Sequence, residues 1–366
     1  MPAENDVKLL AVGDIMLGEG PLDLGRGAAS AIRKEGPDYP FALVGDCLRS
    51  GDVVFGNVEA VLSTRGVRKG RVRSLVLRGD PQAAAGLKRA GFNVVSLANN
   101  HALEHGPEAL EETKSALSAQ GIAFVGIGGS REAARTPLVL TPGGLRLAVL
   151  AYCLVDDETA YLSVDDPGDI CGDVARARND ADLVIVSLHW GHEYIHRPSP
   201  GQVRLAHEII DSGCAVILGH HPHVLQGLED YHGGLIAYSL GNFVFDMPGP
   251  DTRESVILRT GLSRAGVTGW EAIPVRINQM SRPEILSGRQ RDEALGRLRQ
   301  WSASIDSPGA GDPGAREKAY LEEVAACRST QRRKVKRHFL RTFLQHPSRY
   351  SLQVGMDYAA RRTRRA

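Results

Sequence analysis

The chain has 366 residues, 24% charged and 42% hydrophobic, with 44 Lys+Arg against 43 Asp+Glu, a composition that fits a globular protein of one large domain or two modest ones. Disordered, collagenous and coiled-coil classes are excluded, and no apolar run approaches the ~18 residues needed to span a bilayer. The near-zero net charge hides an asymmetry: residues 328–366 hold 12 Lys+Arg and one acid, Asp357, which leaves 32 basic and 42 acidic residues in the body.

At the N-terminus Glu4 and Asp6 precede a short apolar run that Asp14 breaks, unlike a secretory signal, so a cytoplasmic protein is expected. Buried strands are expected at 8–13 and 52–55, then a helix at 81–90, a strand at 93–98, a helix at 107–120 and strands at 123–126 and 145–151. A helix at 172–180, a strand at 183–189, a helix at 202–212 and a strand at 215–218 continue the alternation. This pattern predicts an α/β domain with largely buried strands. The last strands, at 235–239, 254–260 and 270–277, follow one another without helices, so part of the sheet is expected to be antiparallel.

The domain organisation reads as a body over 1–260, further strand and helix elements over 261–306 packing on it, a Pro/Gly linker at 307–314 and a basic helical tail at 315–366. The linker's Gly309-x-Gly311-x-x-Gly314 follows no strand, so it is not a dinucleotide fingerprint. Within the tail, 331–345 predicts a helix with Val335, Phe339, Leu340, Phe343 and Leu344 on one stripe and Arg or Lys around it. Such a helix suits a peripheral contact with an anionic inner-membrane surface, or packing on the acidic body of its own chain. No recognition motif supports nucleic acid. Cys47, Cys153, Cys171, Cys214 and Cys327 are scattered and odd in number, which speaks for free thiols.

Polar and ionisable residues collect just after the strands, each in a Gly- or Asn-rich turn. These are Gly13-Asp14-Ile15-Met16, Gly56-Asn57-Val58-Glu59, Ala98-Asn99-Asn100-His101, His189-Trp190-Gly191-His192-Glu193, Gly219-His220-His221-Pro222-His223 and Leu240-Gly241-Asn242-Phe243. Ligand sites in α/β sheets lie outside the carboxyl ends of strands, so six such clusters point to one crevice. Imidazole, carboxylate and amide donors are what divalent transition ions take. His221 and His223 flank one proline, and in extended chain that spacing puts both on one face. Serine-nucleophile, phosphate-loop and H-E-x-x-H motifs are absent.

In this order, G-D-I-M-L-G, G-N-V-E, A-N-N-H, H-W-G-H-E, G-H-H-P-H and Y-S-L-G-N-F-V-F-D resemble the CapA family of bacterial poly-γ-glutamate capsule proteins, a branch of the calcineurin-like metallophosphoesterases. The segment from Gly126 to Pro137 is similar to a family turn that opens a short helix. The resemblance covers roughly 7–260. It implies an αββα sandwich of two mixed sheets flanked by helices, followed by a C-terminal helical extension. It also implies one or two divalent ions (Mn, Fe or Zn) on Asp14, Glu59 as the bridging acid, Asn100, His189, His221 and His223. His101 is the implied contact to the leaving group, and Met16 stands where the superfamily has a histidine ligand.

Glu193 is expected to fill that gap, or to orient His189, and is counted with His101 among the catalytic candidates. Asn57, Trp190 and Asn242 are expected on the substrate, with Tyr194 and His196 nearby. Arg71, Arg73 and Arg78 offer either a basic stretch for an anionic substrate or a solvated loop face. The expected function is a metal-dependent hydrolase of a phosphoester or γ-glutamyl-type amide, acting through a metal-bound water on an anionic small molecule or peptide. The alternative is a non-hydrolytic component of poly-γ-glutamate synthesis or export that binds an anionic glutamyl chain beside a polyglutamate-type ligase.

Overall fold

The strand Val7–Ile15 is buried along almost its whole length, because it is covered on both faces, and its near-continuous apolar run reflects this. It sits at the centre of the larger sheet in a computed structural model that describes residues 6–21, 23–66, 72–155, 167–305 and 312–345. On one side follow Val53–Val58, Val94–Ser96 and Ala123–Val125, all parallel. On the other follow Glu254–Ser263, Gly266–Ile277 and Pro283–Ile285, all antiparallel. The short strand Asn242–Val244 also runs parallel to the end of Val7–Ile15, with Asn242 opposite Asp14.

The second sheet is ordered Leu228–Tyr231, Gly234–Ala237, Cys214–His220, Leu183–His189, Leu147–Cys153, Leu138–Leu140. Its four central strands are parallel and both edges antiparallel. Alternation along these strands divides two cores. Leu147, Val149, Leu183, Ile185 and Leu218 join Phe55 and Leu258 of the larger sheet in one apolar cluster. Ala148, Leu150, Val184, Val186 and Ile217 instead pack on Ile170 and Val174 of helix Pro167–Asp180 and on Val203 and Ile209 of helix Pro200–Asp211. Each fully buried aliphatic side chain stabilises the fold by roughly 1.5–3 kcal/mol.

Helix Pro200–Asp211 starts where Ser199 and Gln202 form a reciprocal capping box. Helices Ala83–Ala90 and Pro107–Ala119 contribute Ala84, Leu87 and Leu117 to the main cluster with the larger sheet. The layers are therefore helix, sheet, sheet, helix, two mixed sheets with flanking helices as the resemblance implies.

The structure redraws some boundaries. The strand near 235 is parallel to Cys214–His220, and antiparallel pairing in the larger sheet begins at Glu254–Ser263. Position 260 falls inside that strand, and its hairpin with Gly266–Ile277 completes the sheet. Leu298 of helix Gly288–Ala303 also enters the main cluster, so 261–303 packs as part of the same body. Most of the expected linker, 307–311, and the tail beyond 345 lie outside the described residues.

A single helix, Pro313–Gln345, spans the expected 331–345. Its first half docks on the body: Tyr320 and Val324 are buried with Ile195, and Arg197 pairs with Glu323 at 2.8 Å. Farther along, Arg333, Lys334, Arg337 and Leu340 are exposed, and the side chains of Val335, Phe339, Phe343 and Leu344 lie outside the described residues. Among the described residues no helix is long and apolar enough to cross a membrane. All five cysteines are free thiols.

Candidate metal centre

Strand register brings the polar clusters together. Asp14 lies opposite Asn57 on one neighbour and Asn242 on the other, while His189 lies opposite His220 in the second sheet. Close approach of two backbones closes the site from below. A Cβ on Gly13 would stand 1.9 Å from the carbonyl oxygen of Gly241, which accepts the Asp14 amide proton at 2.9 Å. In the turn after Cys214–His220, His221 (φ 92) and His223 (φ 58) take left-handed backbone, which costs on the order of 1–3 kcal/mol per residue and persists only where the surroundings enforce it. That turn is tied down by the Tyr194 amide, which donates to the Pro222 carbonyl at 2.8 Å.

The buried Glu59 carboxylate is the hub. One oxygen lies 3.7 Å from Nε2 of His189, 3.7 Å from Nε2 of His223 and 3.8 Å from Nε2 of His101. Asp14 lies 3.3 Å from Nδ1 of His220 and 3.4 Å from Nδ1 of His223, and it accepts the His221 amide at 3.2 Å. Among the described residues two donor groups result, Asp14–Glu59–His223 and Glu59–His189–His221, each with its ligand atoms within 4.8 Å of one another. They share Glu59. Asn100 Oδ1 is 2.9 Å from Nε2 of His189, so it adjoins the second group.

Several residues expected on the substrate hold the protein instead. Asn57 is fully buried: its Nδ2 donates to Asp14 Oδ1 at 2.8 Å and reaches Nδ1 of His189 at 3.3 Å. An imidazole that accepts at Nδ1 carries its proton on Nε2, toward Asn100 and Glu59, the nitrogen that would be free to hold a cation once that proton is lost. Asn242 is equally buried, with Nδ2 donating to the carbonyls of His223 and Thr252 and Oδ1 facing Nδ1 of His223 at 2.9 Å. Trp190 points away from the site. It follows His189 by one residue, so alternation sends it into the outer core, where Nε1 donates to the Tyr238 carbonyl at 2.9 Å.

Glu193 does not orient His189, because Asn57 occupies that ring nitrogen. It is exposed beyond the turn at Gly191 (φ 84) and belongs to neither donor group, although its charge reaches Glu59 and His223. His101 is about a quarter exposed, with Nδ1 3.6 Å from Glu104. His196 supports the loop through the Leu225 carbonyl and a stack on Trp301.

Two residues of the site were not assigned a ligand position from sequence, although His220 stood with His221 and His223 among the imidazoles expected to include metal ligands. Asn99 is buried and bridges Asn57 Oδ1 and the Val58 carbonyl while accepting the His101 amide. His220 is fully buried against Asp14. Both lie inside the motifs already identified, and only the three-dimensional direction of each side chain separates them from their neighbours.

The electrostatics are unbalanced without a cation. Burial opposes ionisation of Asp14, yet His220 and His223 beside it hold its carboxyl well below the usual value. Burial and the Asp14 charge push Glu59 well above its own. Burial, aided by His223, drives His221 down to about 3, and burial with the His221 ring holds His189 well below the ordinary range. Burial disfavours charge on His223 too, but Glu59 and Asp14 outweigh it and raise this imidazole to about 10. Both Glu59 oxygens, both His220 ring nitrogens and Nδ1 of His221 are buried without a hydrogen-bond partner among the described residues. Orphaned donor atoms of this kind are costly. Carboxylate oxygens and imidazole nitrogens that converge on a shared acid fit a transition-metal site, and a shared acid suits two ions. Met16 adds no donor: it is buried in an apolar cluster with Ala60, Phe245 and Ile277.

Residues 8–247 match the family described as bacterial capsule synthesis protein PGA_cap. The capsule biosynthesis protein CapA of Bacillus anthracis is 30% identical over 309 residues, covering 81% of this chain and 74% of that protein. The PGA biosynthesis protein CapA of Bacillus subtilis (strain 168) is 32% identical over 276 residues, covering 73% and 71%. Among solved structures, the NAD nucleotidase of Haemophilus influenzae aligns with a TM-score of 0.45 at 15% identity, covering 88% of this chain and 68% of that one.

Proposed function

The chain belongs to the bacterial capsule synthesis protein PGA_cap family, and on that premise we propose that it is a metal-dependent hydrolase of a phosphoester or a γ-glutamyl-type amide. The observation that carries this reading is the Glu59 carboxylate, fully buried, without a hydrogen-bond partner among the described residues, and facing three imidazole nitrogens at 3.7–3.8 Å. Asp14, Glu59 and His223 would hold one divalent ion, and Glu59, His189, His221 and Asn100 a second. Such ions supply Lewis acidity, polarising the bond to be broken and lowering the pKa of water.

The chain's own residues do the rest. Asn57 and Asn242 fix the orientation of His189 and His223, so that the nitrogens facing Glu59 stay aimed. His101, at the partly open rim with Nε2 toward Glu59, is placed to hand a proton to a leaving group. The buried walls exclude bulk water, which strengthens each charge interaction inside.

A second reading, a non-hydrolytic component that binds an anionic glutamyl chain beside a ligase, draws support from Met16, whose buried thioether offers no ligand. Metal content and turnover separate the two readings. Chain purified without chelator should carry about one or two equivalents of a transition metal, lost in His221→Ala and Asp14→Asn, and should turn over either a phosphoester or a γ-glutamyl amide. Turnover that survives His221→Ala unchanged would rule out the hydrolase, and metal binding without turnover of either substrate class favours the second reading.

A further inference from the structure

A cavity of about 380 Å³ is lined by Glu19, Arg33, Ser63, Thr64, Arg78 and Gly79 among others. Its walls continue the two segments that carry Asp14 and Glu59. Beyond Asp14 the chain reaches Glu19, whose carbonyl accepts the Leu77 amide at 2.8 Å. Beyond Glu59 it forms the strand Val61–Leu62, which pairs with Arg78–Gly79. The loop after His101 also lies against this wall, with His105 Nε2 at 2.8 Å from the Val76 carbonyl.

Arg78 is 8% exposed. Its Nη1 donates to the carbonyls of Ser63, at 3.4 Å, and Arg65. Its Nε and Nη2 are buried without a hydrogen-bond partner among the described residues. Those two atoms form one edge of the guanidinium, the edge that takes a carboxylate or phosphate through two parallel N–H bonds. The nearby acids are already engaged. Glu112 accepts from Ser63, Thr64 and Arg65, Glu19 from the amides of Gly25, Gly27 and Ser30, and Asp80 from the Gln82 amide. A guanidinium stays charged at neutral pH, and an unpaired buried charge is strongly unfavourable. The group is held on one side and left open on the other.

We propose that Arg78 is an anion subsite that takes a carboxylate or phosphoryl group of the substrate away from the scissile bond, an inference that rests on the hydrolase reading only for the identity of that molecule. Bound there, an anionic chain would be anchored on the segments that lead to Asp14 and Glu59, with Arg33, 3.9 Å from Glu19, at the exposed mouth.

The test uses the full chain as purified, with a chelator-treated portion alongside, and two probes, inorganic phosphate and a short γ-linked glutamate oligomer, followed by calorimetry. One probe should bind in both portions, which identifies the anion class, and Arg78→Lys, which keeps the charge and loses the fork, should weaken it tenfold or more without changing metal stoichiometry. Binding of neither probe, or equal binding by Arg78→Lys, overturns the proposal. Should Arg78→Lys fail to fold, an arginine-directed reagent on the wild type serves instead: Arg78 should be protected by the binding probe, and labelling that the probe does not change counts against the subsite. Because the chelated portion binds without metal, and the loss in Arg78→Lys assigns that binding to Arg78, failure of the metal reading and failure of the subsite give different results.

Discussion

Asn242 fixes the ring of His223: its Oδ1 lies 2.9 Å from Nδ1, and its Nδ2 is committed to the carbonyls of His223 and Thr252. The amide cannot flip without losing both of those bonds, so Nδ1 of His223 is the donor and Nε2 is left facing Glu59. Asn242→Ala should therefore weaken metal affinity by roughly 10–100-fold, the usual effect of removing a residue that orients a ligand, while the circular dichroism spectrum stays native. Chelator competition measures it. Wild-type affinity in the variant would show that packing alone holds the ring.

Gly13→Ala should be far more damaging than its size suggests. The new methyl would meet a backbone oxygen, that of Gly241, at 1.9 Å, and backbone cannot rotate aside as a side chain can. Overpacking of this kind costs on the order of 1–3 kcal/mol or more, and here it also strains the Asp14–Gly241 hydrogen bond. A fall in the urea midpoint is the expected readout, and a wild-type midpoint would mean the strands can slide apart freely.

The sequence made the strand ends legible because buried parallel strands read as short apolar runs and because each run stops in a turn of unusual polarity. It could not say which way a polar side chain inside such a turn points. His189 and Trp190 are adjacent, yet one enters the site and the other the outer core. Asn57 and Asn242 have the chemistry of substrate contacts, but their amides are consumed by protein partners. The strand Asn242–Val244 escaped periodicity because its three residues are too few to show an alternation. Likewise the positive φ at His221 and His223 has no decisive residue signature, since it is uncommon for any residue but glycine even though histidine adopts it more often than most.

Trp190→Phe tests that division. The ring would stay buried against Tyr238, at a centroid distance of 6.1 Å in the wild type, but the bond to the Tyr238 carbonyl is lost and a buried acceptor is left open. A loss of about 1–3 kcal/mol in stability is expected, with unchanged metal content. Loss of metal at unchanged stability would put Trp190 back at the site.

Glu59→Gln should act with opposite signs on stability and function. The substitution keeps the shape and removes a buried carboxyl whose ionisation burial and the Asp14 charge oppose, and relieving the repulsion between the two buried acids is stabilising in the metal-free chain. The same change deletes the donor that both metal groups share. Chelated variant should melt above chelated wild type, whereas added metal should raise the wild-type melting temperature alone. A variant that still gains stability from metal would show that Glu59 is not the bridging ligand.

Asp23 supplies a pH dependence remote from the metal centre. Burial, reinforced by Asp246 and opposed by Arg26, raises its carboxyl to about 7. The native state then keeps a proton that the unfolded chain releases above about pH 4, so stability falls as pH rises from there through about 7 and levels off beyond. Below that window the group contributes nothing, because both states are protonated. Asn mimics the protonated acid and retains a polar partner for Arg26, 3.2 Å away in the wild type. Asp23→Asn should therefore match wild type near pH 4 and exceed it near pH 8, by at most about 4 kcal/mol for a shift of this size. Urea titrations at the two pH values measure the difference, and a gap independent of pH would mean that Asp23 ionises alike in both states.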